Sequence, residues 1–306
     1  MNTKKLVLKK LPVEREKWLL LIVLSIIWGS SFILIKKSLI HYNPYEVGAL
    51  RVLIAGIILL PIAILNVKKF PKKDLKWLIL AAISGNFIPM FLFPIAETMV
   101  SSSIAGIINS MLPILVIMVG AIFWKFKTTK RQLIGVAISF FGACVIAFSN
   151  GSGGEIKLYP VILLLVAVLL YAINVTTVKS KLQNVSAKVL SSFVFSFVLI
   201  LPSFIALIFA GFFKDFQADQ GHFVGLGYVS LLSIFGTGLA MMLNYRLLNI
   251  ATPLFASTVT LLMPIVAIIW GVLDGEILTL GQIVGGIVIV SGLLFLRAKN
   301  IEKKIL

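Results

Sequence analysis

Few side chains in this chain can do chemistry, and most of those stand inside apolar runs. The stretch "IIWGSSFILIKKS" sets Trp28, Gly29, Ser30 and Ser31 in the middle of such a run, with Lys36 and Lys37 at its end. A later stretch, "YAINVTTVK", keeps that spacing with Tyr171, Asn174, Thr177 and Lys179. Arg51 stands in "ALRVLIAG", and Asn86, Asn109, Asn244 and Tyr245 occupy similar surroundings. These groups exchange hydrogen bonds. Ser30 and Ser31 have neither a histidine nor a carboxylate partner, so no nucleophile with an acid–base helper is visible. His41 and His222 fall in loops, Cys144 is the single cysteine, and no helix sets two carboxylates at metal-ligand spacing. A Gly-Lys-Ser/Thr phosphate loop is also missing, which excludes ATP hydrolysis by this chain. The expected chemistry is recognition of a solute, without catalysis, metal or cofactor.

The elements that hold these groups follow from composition. The chain of 306 residues is 59% hydrophobic and only 13% charged, with mean hydropathy +1.08, which places it in a membrane. A helical span needs about 20 apolar residues, and ten such stretches are predicted at 18–38, 45–65, 75–94, 98–124, 131–149, 157–178, 188–211, 223–245, 253–273 and 279–297. Continuous apolar character favours helices over the alternating strands of a barrel. The fold class is therefore all-α integral membrane, and the lipid bilayer is a partner.

The net charge of +17 would suggest nucleic acid in a soluble protein, but it sits in the loops. With the N-terminus inside, 23 of the 28 lysines and arginines fall on one side, leaving Lys36, Lys37, Arg51, Lys157 and Lys214 toward the other. Both termini are thus expected in the cytoplasm, and no nucleic-acid partner is implied. The basic N-terminus precedes an apolar run without a small-x-small cleavage site, so it reads as an uncleaved first span.

The ten spans divide into two copies of a five-helix unit. "WGSSFILIK" aligns with "YAINVTTVK", Pro61 with Pro202, Pro113 with Pro264, and Gln132, Gly135 and Gly142 with Gln282, Gly285 and Gly292. An odd number of spans forces the second copy to enter from the opposite side, giving inverted repeats. The loop "WKFKTTKRQ" is basic where its counterpart "LDGEILTLGQ" carries Asp274 and Glu276, as opposite sides require. The units are expected at 18–149 and 157–297, flanked by a basic N-terminus (1–17), a linker (150–156) and a C-terminal tail (298–306).

This pattern resembles the ten-helix EamA-type branch of the drug/metabolite transporter superfamily. The matching residues are Trp28, Gly29, Ser30 and Lys36, then Arg51 and Pro113, with Pro264, Glu276, Gly285 and Gly292 in the second unit. Lys125 departs from that pattern where an acidic residue is usual, Ser192 stands opposite Arg51, and Glu97 replaces an apolar residue. The resemblance implies a permease of small metabolites, often an exporter of amino acids or related compounds, in the bacterial inner membrane. Such a protein acts as a monomer or homodimer on a small-molecule substrate. The alternatives are a membrane-embedded enzyme or a non-transporting scaffold.

Inverted repeats create a site near the midplane, where the halves meet. The substrate-binding candidates are Trp28, Ser31, Arg51, Asn86, Asn109, Tyr171, Asn174, Asn244 and Tyr245, on a cavity expected between the first, third, fourth, sixth, eighth and ninth helices. Trp28 lies about 15 Å into its span, too deep for an interfacial anchor, and either packs or lines the cavity. Trp18 and Trp77, near span ends, read as anchors. Arg51 needs a partner at its depth: Glu46, Glu97 or an anionic substrate. For the asparagines, interhelical hydrogen bonds compete with binding of a neutral or zwitterionic solute. Lys36, Glu97 and Lys179 are gate or coupling candidates, Lys36 being equally placed to snorkel outward. Pro89, Pro113 and Pro264 are kink candidates. With carboxylates only near span ends, a facilitated exporter or exchanger is expected ahead of a midplane proton relay.

Overall fold

The computed structural model describes residues 12–69, 72–100, 102–149, 158–273 and 279–297. Among them it has ten helical segments and no strand: α1 (Val13–Ser38), α2 (Pro44–Leu65), α3 (Lys72–Glu97), α4 (Ser102–Trp124), α5 (Lys130–Ser149), α6 (Leu158–Lys181), α7 (Ala187–Phe209), α8 (Gln220–Ile250), α9 (Pro253–Leu273) and α10 (Leu280–Arg297). All but α5 and α10 are individually long and apolar enough to cross a bilayer, and those two pack along each other. The termini, the linker at 150–156, Asp274 and Glu276 lie outside the described residues. Short connections make chain neighbours antiparallel. The ends of successive helices therefore alternate between a first face, where α1 begins, and a second face, where it ends.

Local sequence sets several boundaries. Asn43 caps α2: its side chain accepts from the N–H groups of Tyr45 and Glu46, and the Glu46 carboxylate accepts from the Asn43 N–H at 2.9 Å. Pro44 then enters the first turn, where its missing N–H costs nothing. In place of the unbroken span expected over 98–124, α4 is two helices, Ser102–Asn109 and Leu112–Trp124. Pro113 cannot donate to the Asn109 carbonyl four residues earlier, so the ladder opens there. Its counterpart α9 is likewise divided, into Pro253–Ser257 and Val259–Leu273. Turns of π-helix interrupt α3 at Ile83–Phe87, α7 at Phe193–Leu199 and α8 at Ile234–Leu239.

Packing follows the repeat. Helix α1 lies on α8 and α9, and its counterpart α6 lies on α3 and α4. Helix α2 packs on its own counterpart α7, and α5 on α10. Exchanging the halves leaves this pattern unchanged, as a two-fold relation between inverted repeats requires. In lipid no hydrophobic drive pulls helices together, so close backbone approach and hydrogen bonds must do so. A Cβ on Gly142 would come within 2.7 Å of the Gly285 carbonyl oxygen, and one on Gly292 equally close to that of Gly135. Arg131 Nε donates to the Phe295 carbonyl at 2.7 Å at the first-face end of the same pair. On α2 and α7, Ser196 Oγ donates to the Gly56 carbonyl at 2.8 Å.

The Gly142 contact is against backbone, which cannot move aside. Gly142→Val is expected to destabilise the folded protein by about 2 kcal/mol through overpacking, read as a lowered midpoint in thermal unfolding of the detergent-solubilised chain.

Candidate functional site

Between the two halves lies a cavity of about 90 Å³. Trp28, Ser31, Arg51, Asn109, Tyr171, Asn174 and Asn244 line it, together with residues from α9 such as Ser257 and Thr260. Helix α2 reaches it through Arg51, which adds one helix to the six expected.

The π turns build its walls. Such a turn fits one extra residue into a helix and leaves carbonyls without their usual donors. In α8 the Gly236 carbonyl accepts from Trp28 Nε1 at 2.9 Å, and the missing side chain of Gly236 leaves space for Ser31, whose Oγ a Cβ would meet at 2.8 Å. The other half mirrors this: Asn174 Nδ2 donates to the Ala81 carbonyl at 2.8 Å, and a Cβ on Gly85 would overlap the Asn174 amide. Trp28 therefore both packs and lines the cavity, because its ring faces the space while its N–H is tied to the opposite half.

Arg51 is 6% exposed and borders the cavity. Nε donates to Thr237 Oγ1 at 2.7 Å, on the π turn of α8, and the charge interacts electrostatically with Tyr171 and Glu97. Glu46 is not its partner, since that carboxylate is used in the cap of α2. Among the described lining residues there is no carboxylate.

Two of the substrate-binding candidates, Asn86 and Tyr245, stand outside the cavity. The π turn directs Gly85, rather than Asn86, toward the space; Asn86 Nδ2 instead donates to the Tyr245 hydroxyl at 3.3 Å, and Tyr245 is fully buried. Lys36 is exposed near the second face, away from the cavity. Lys179 Nζ donates to the Leu248 carbonyl at 2.8 Å, holding the first-face end of α8. Pro89 follows the π turn of α3, Pro113 follows the break in α4, and Pro264 lies inside Val259–Leu273.

The sequence had not singled out Thr237, Met90, Phe93, Met241, Met263, Ser257 or Thr260. Phe93 stacks on Tyr171 at 5.9 Å and tilts against Phe32 at 6.4 Å, forming an aromatic wall. In sequence these residues are ordinary members of apolar spans. The repeat does hold a signal for Thr237, which follows Gly236 as Asn86 follows Gly85.

Contacts join the halves at both ends. On the first face Arg246 makes a two-point ion pair with Glu16 at 2.7 and 3.0 Å, and Lys181 Nζ lies 5.3 Å from the Trp77 ring and 5.4 Å from that of Trp124. Trp18 meets Phe255 edge-on at 5.0 Å. On the second face Asn43 Nδ2 donates to the Ala210 carbonyl and Tyr42 donates to the His222 carbonyl at 2.7 Å. Burial, with Glu46 and Asp219 nearby, pushes the Tyr42 phenol up, so it stays a donor at neutral pH. The Asp219 carboxyl is held below its usual range, first by the His222 backbone N–H. Among the described residues no group of three or more His, Cys, Asp or Glu is placed to hold a metal.

Apolar membrane-crossing helices in two opposed halves, with a mainly apolar space between them that carries a few polar groups, define a multi-pass membrane transporter. The chain belongs to the EamA-like transporter family, whose model matches residues 17–148 and again 158–298. It is 27% identical to an uncharacterised transporter of Archaeoglobus fulgidus over 93% of this chain and 100% of that one. It is also 27% identical to an uncharacterised inner membrane transporter of Escherichia coli, over 89% of each chain. A protein of Salmonella typhimurium named "probable amino-acid metabolite efflux pump" is 27% identical over 92% of this chain and 94% of its own. A solved crystal structure shares the fold with a TM-score of 0.72 at 15% identity, covering 95% of this chain and 99% of that one.

Thr237→Val keeps shape but removes the acceptor of a buried charged donor. It is expected to cost about 1.5–3 kcal/mol, measured by thermal unfolding, with Thr237→Ser close to the parent.

Proposed function

We propose that this chain is a secondary permease that exports a small metabolite, an amino acid or a related polar or amphipathic solute, by alternating access of its two halves. The observation that carries this reading is Arg51: a buried cation bordering an inter-repeat cavity whose described lining holds no carboxylate. A cation kept at that depth is costly unless it has a task, and a solute carboxylate meets its hydrogen-bonding capacity. The name of the Salmonella relative agrees with this solute class.

Transport in this scheme proceeds by exchanging the two sets of closing contacts. Releasing Glu16–Arg246 and the Lys181 site opens the first face, and releasing Tyr42–His222 and Asn43–Ala210 opens the second. The first face is assigned to the cytoplasm, with both termini there and the bacterial inner membrane as the location, on the bias of lysine and arginine. The cavity is lined by residues of one chain, so this scheme works in a monomer or in each copy of a homodimer. Facilitated export or exchange suits the absence of a carboxylate from the described lining better than a proton relay does. An enzyme would need an acid–base partner for Ser31 or Ser257, and the described lining supplies neither histidine nor carboxylate.

Counterflow in proteoliposomes, after a metabolite screen of cells with and without the protein, tests this directly. Trp28→Ala and Arg51→Ala are expected to lower flux about tenfold or more, Arg51 because a charge-assisted hydrogen bond is lost, with membrane insertion intact. Undiminished flux in correctly inserted variants would remove both residues from the path. A C-terminal fluorescent-protein fusion should be fluorescent and the matching alkaline phosphatase fusion inactive; the reverse result overturns the assigned orientation.

A further inference from the structure

Lys36 and Glu97 lie outside the cavity, yet the fold sets them at one level. Helices α1 and α3 both run from the first face to the second, and they meet at Phe32 and Phe93, whose rings are 6.4 Å apart and line the cavity. Residues four apart on a helix share a face, about 6 Å along the axis. One turn farther toward the second face, α1 therefore presents Lys36 and α3 presents Glu97. Lys36 is exposed, Glu97 is half-buried, and neither borders the cavity.

The second repeat shows what this level can do. Lys179 stands 143 positions after Lys36, as Tyr171 does after Trp28, and Leu248 stands 151 after Glu97, as Gly236 does after Gly85. Val175 and Asn244, the counterparts of Phe32 and Phe93, line the cavity in their turn. One turn beyond them, Lys179 Nζ crosses to the Leu248 carbonyl at 2.8 Å and joins the first-face ends of α6 and α8. A lysine at this position is thus long enough to span from the first helix of its unit to the third. In the first repeat the side chain across that gap is a carboxylate, which offers a lysine a stronger partner than a carbonyl does.

We infer that Lys36 and Glu97 form an ion pair that holds the second-face end of the cavity shut in one state of the transport cycle. This rests on the permease reading above, and it adds to the Tyr42 and Asn43 contacts at that face a latch within the first repeat. The ion pairs among the described residues do not include this one, and the Glu97 charge interacts with that of Arg51 instead. The latch is therefore open in this structure. When inverted halves rock against each other, each unit takes up the arrangement the other held. Helices α1 and α3 then adopt the relation that α6 and α8 hold here, in which the lysine reaches across.

Thiol labelling of the full-length protein in sealed vesicles tests the latch. Cys144, the single cysteine, is replaced by alanine, and Ile35→Cys reports from the cavity wall beside Lys36. A membrane-impermeant maleimide is applied to each side in turn, and Lys36→Cys alone identifies the side of the second face. From that side Lys36→Met and Glu97→Gln are each expected to speed labelling of the reporter about fivefold, the upper range for an ion pair near a surface. Lys36→Glu combined with Glu97→Lys should return it to the parent rate, which a loss of packing would not do. Carbodiimide treatment of the unsubstituted protein decides the matter if a variant does not fold: an amide bond joining Lys36 to Glu97 is expected, seen by mass spectrometry of the digest. Unchanged labelling in both single variants overturns the inference and leaves the permease reading standing. So does a charge-swapped variant as fast as the single ones, or a digest without the Lys36–Glu97 link. A reporter thiol that no variant exposes to either side overturns the permease reading, and the inference with it.

Discussion

Backbone polar groups inside a bilayer have no water to turn to, and that constraint organises the structure. Wherever the helical ladder opens, at a π turn or ahead of a proline, a carbonyl needs another donor. The donor comes repeatedly from the other half. Trp28 supplies Gly236, Asn174 supplies Ala81, and Ser110 supplies Thr260, in each case with a side chain of one repeat and a carbonyl of the other. The openings in α3, α4, α8 and α9 thus serve as the joints between the repeats.

The joints are also where glycine is needed. Gly85 and Gly236 occupy matching places on π turns of α3 and α8, and each leaves space for a side chain of the opposite half's first helix. A larger residue would push that helix away and remove the hydrogen bond beside it. Away from the cavity, glycine does a different task on α5 and α10, where Gly142 and Gly285 bring two backbones close together.

The same economy shapes the cavity. Its polar groups are either engaged across the interface or held in readiness. Trp28 and Asn174 spend a donor on the opposite half while presenting their other surface to the space. Arg51 is steadied through Nε by Thr237, so the guanidinium is positioned before any solute arrives. Pre-ordering of this kind lowers the cost of binding. It also links the site to the π turn of α8, because Arg51 and Trp28 hold adjacent residues of that turn, Thr237 and Gly236.

How much of this was legible in the sequence depended on the kind of feature. Membrane placement and the two-repeat architecture followed from long apolar runs and from matched landmarks such as Trp28 with Tyr171 and Pro113 with Pro264. Arg51 could be singled out because a charge inside such a run is rare. Its partner Thr237 could not, since a threonine in a membrane helix most often bonds back to its own turn. Asn86 and Asn109 looked alike as isolated amides, yet one pairs with Tyr245 behind the wall and the other borders the cavity. The sequence alone determined which segments cross the membrane and that they do so in two opposed copies, because hydropathy and spacing are properties of each segment. Which polar groups meet across the interface was decided only by the tertiary structure: one inserted residue in a π turn swings every following side chain by about 100°, and nothing local to the segment shows the shift.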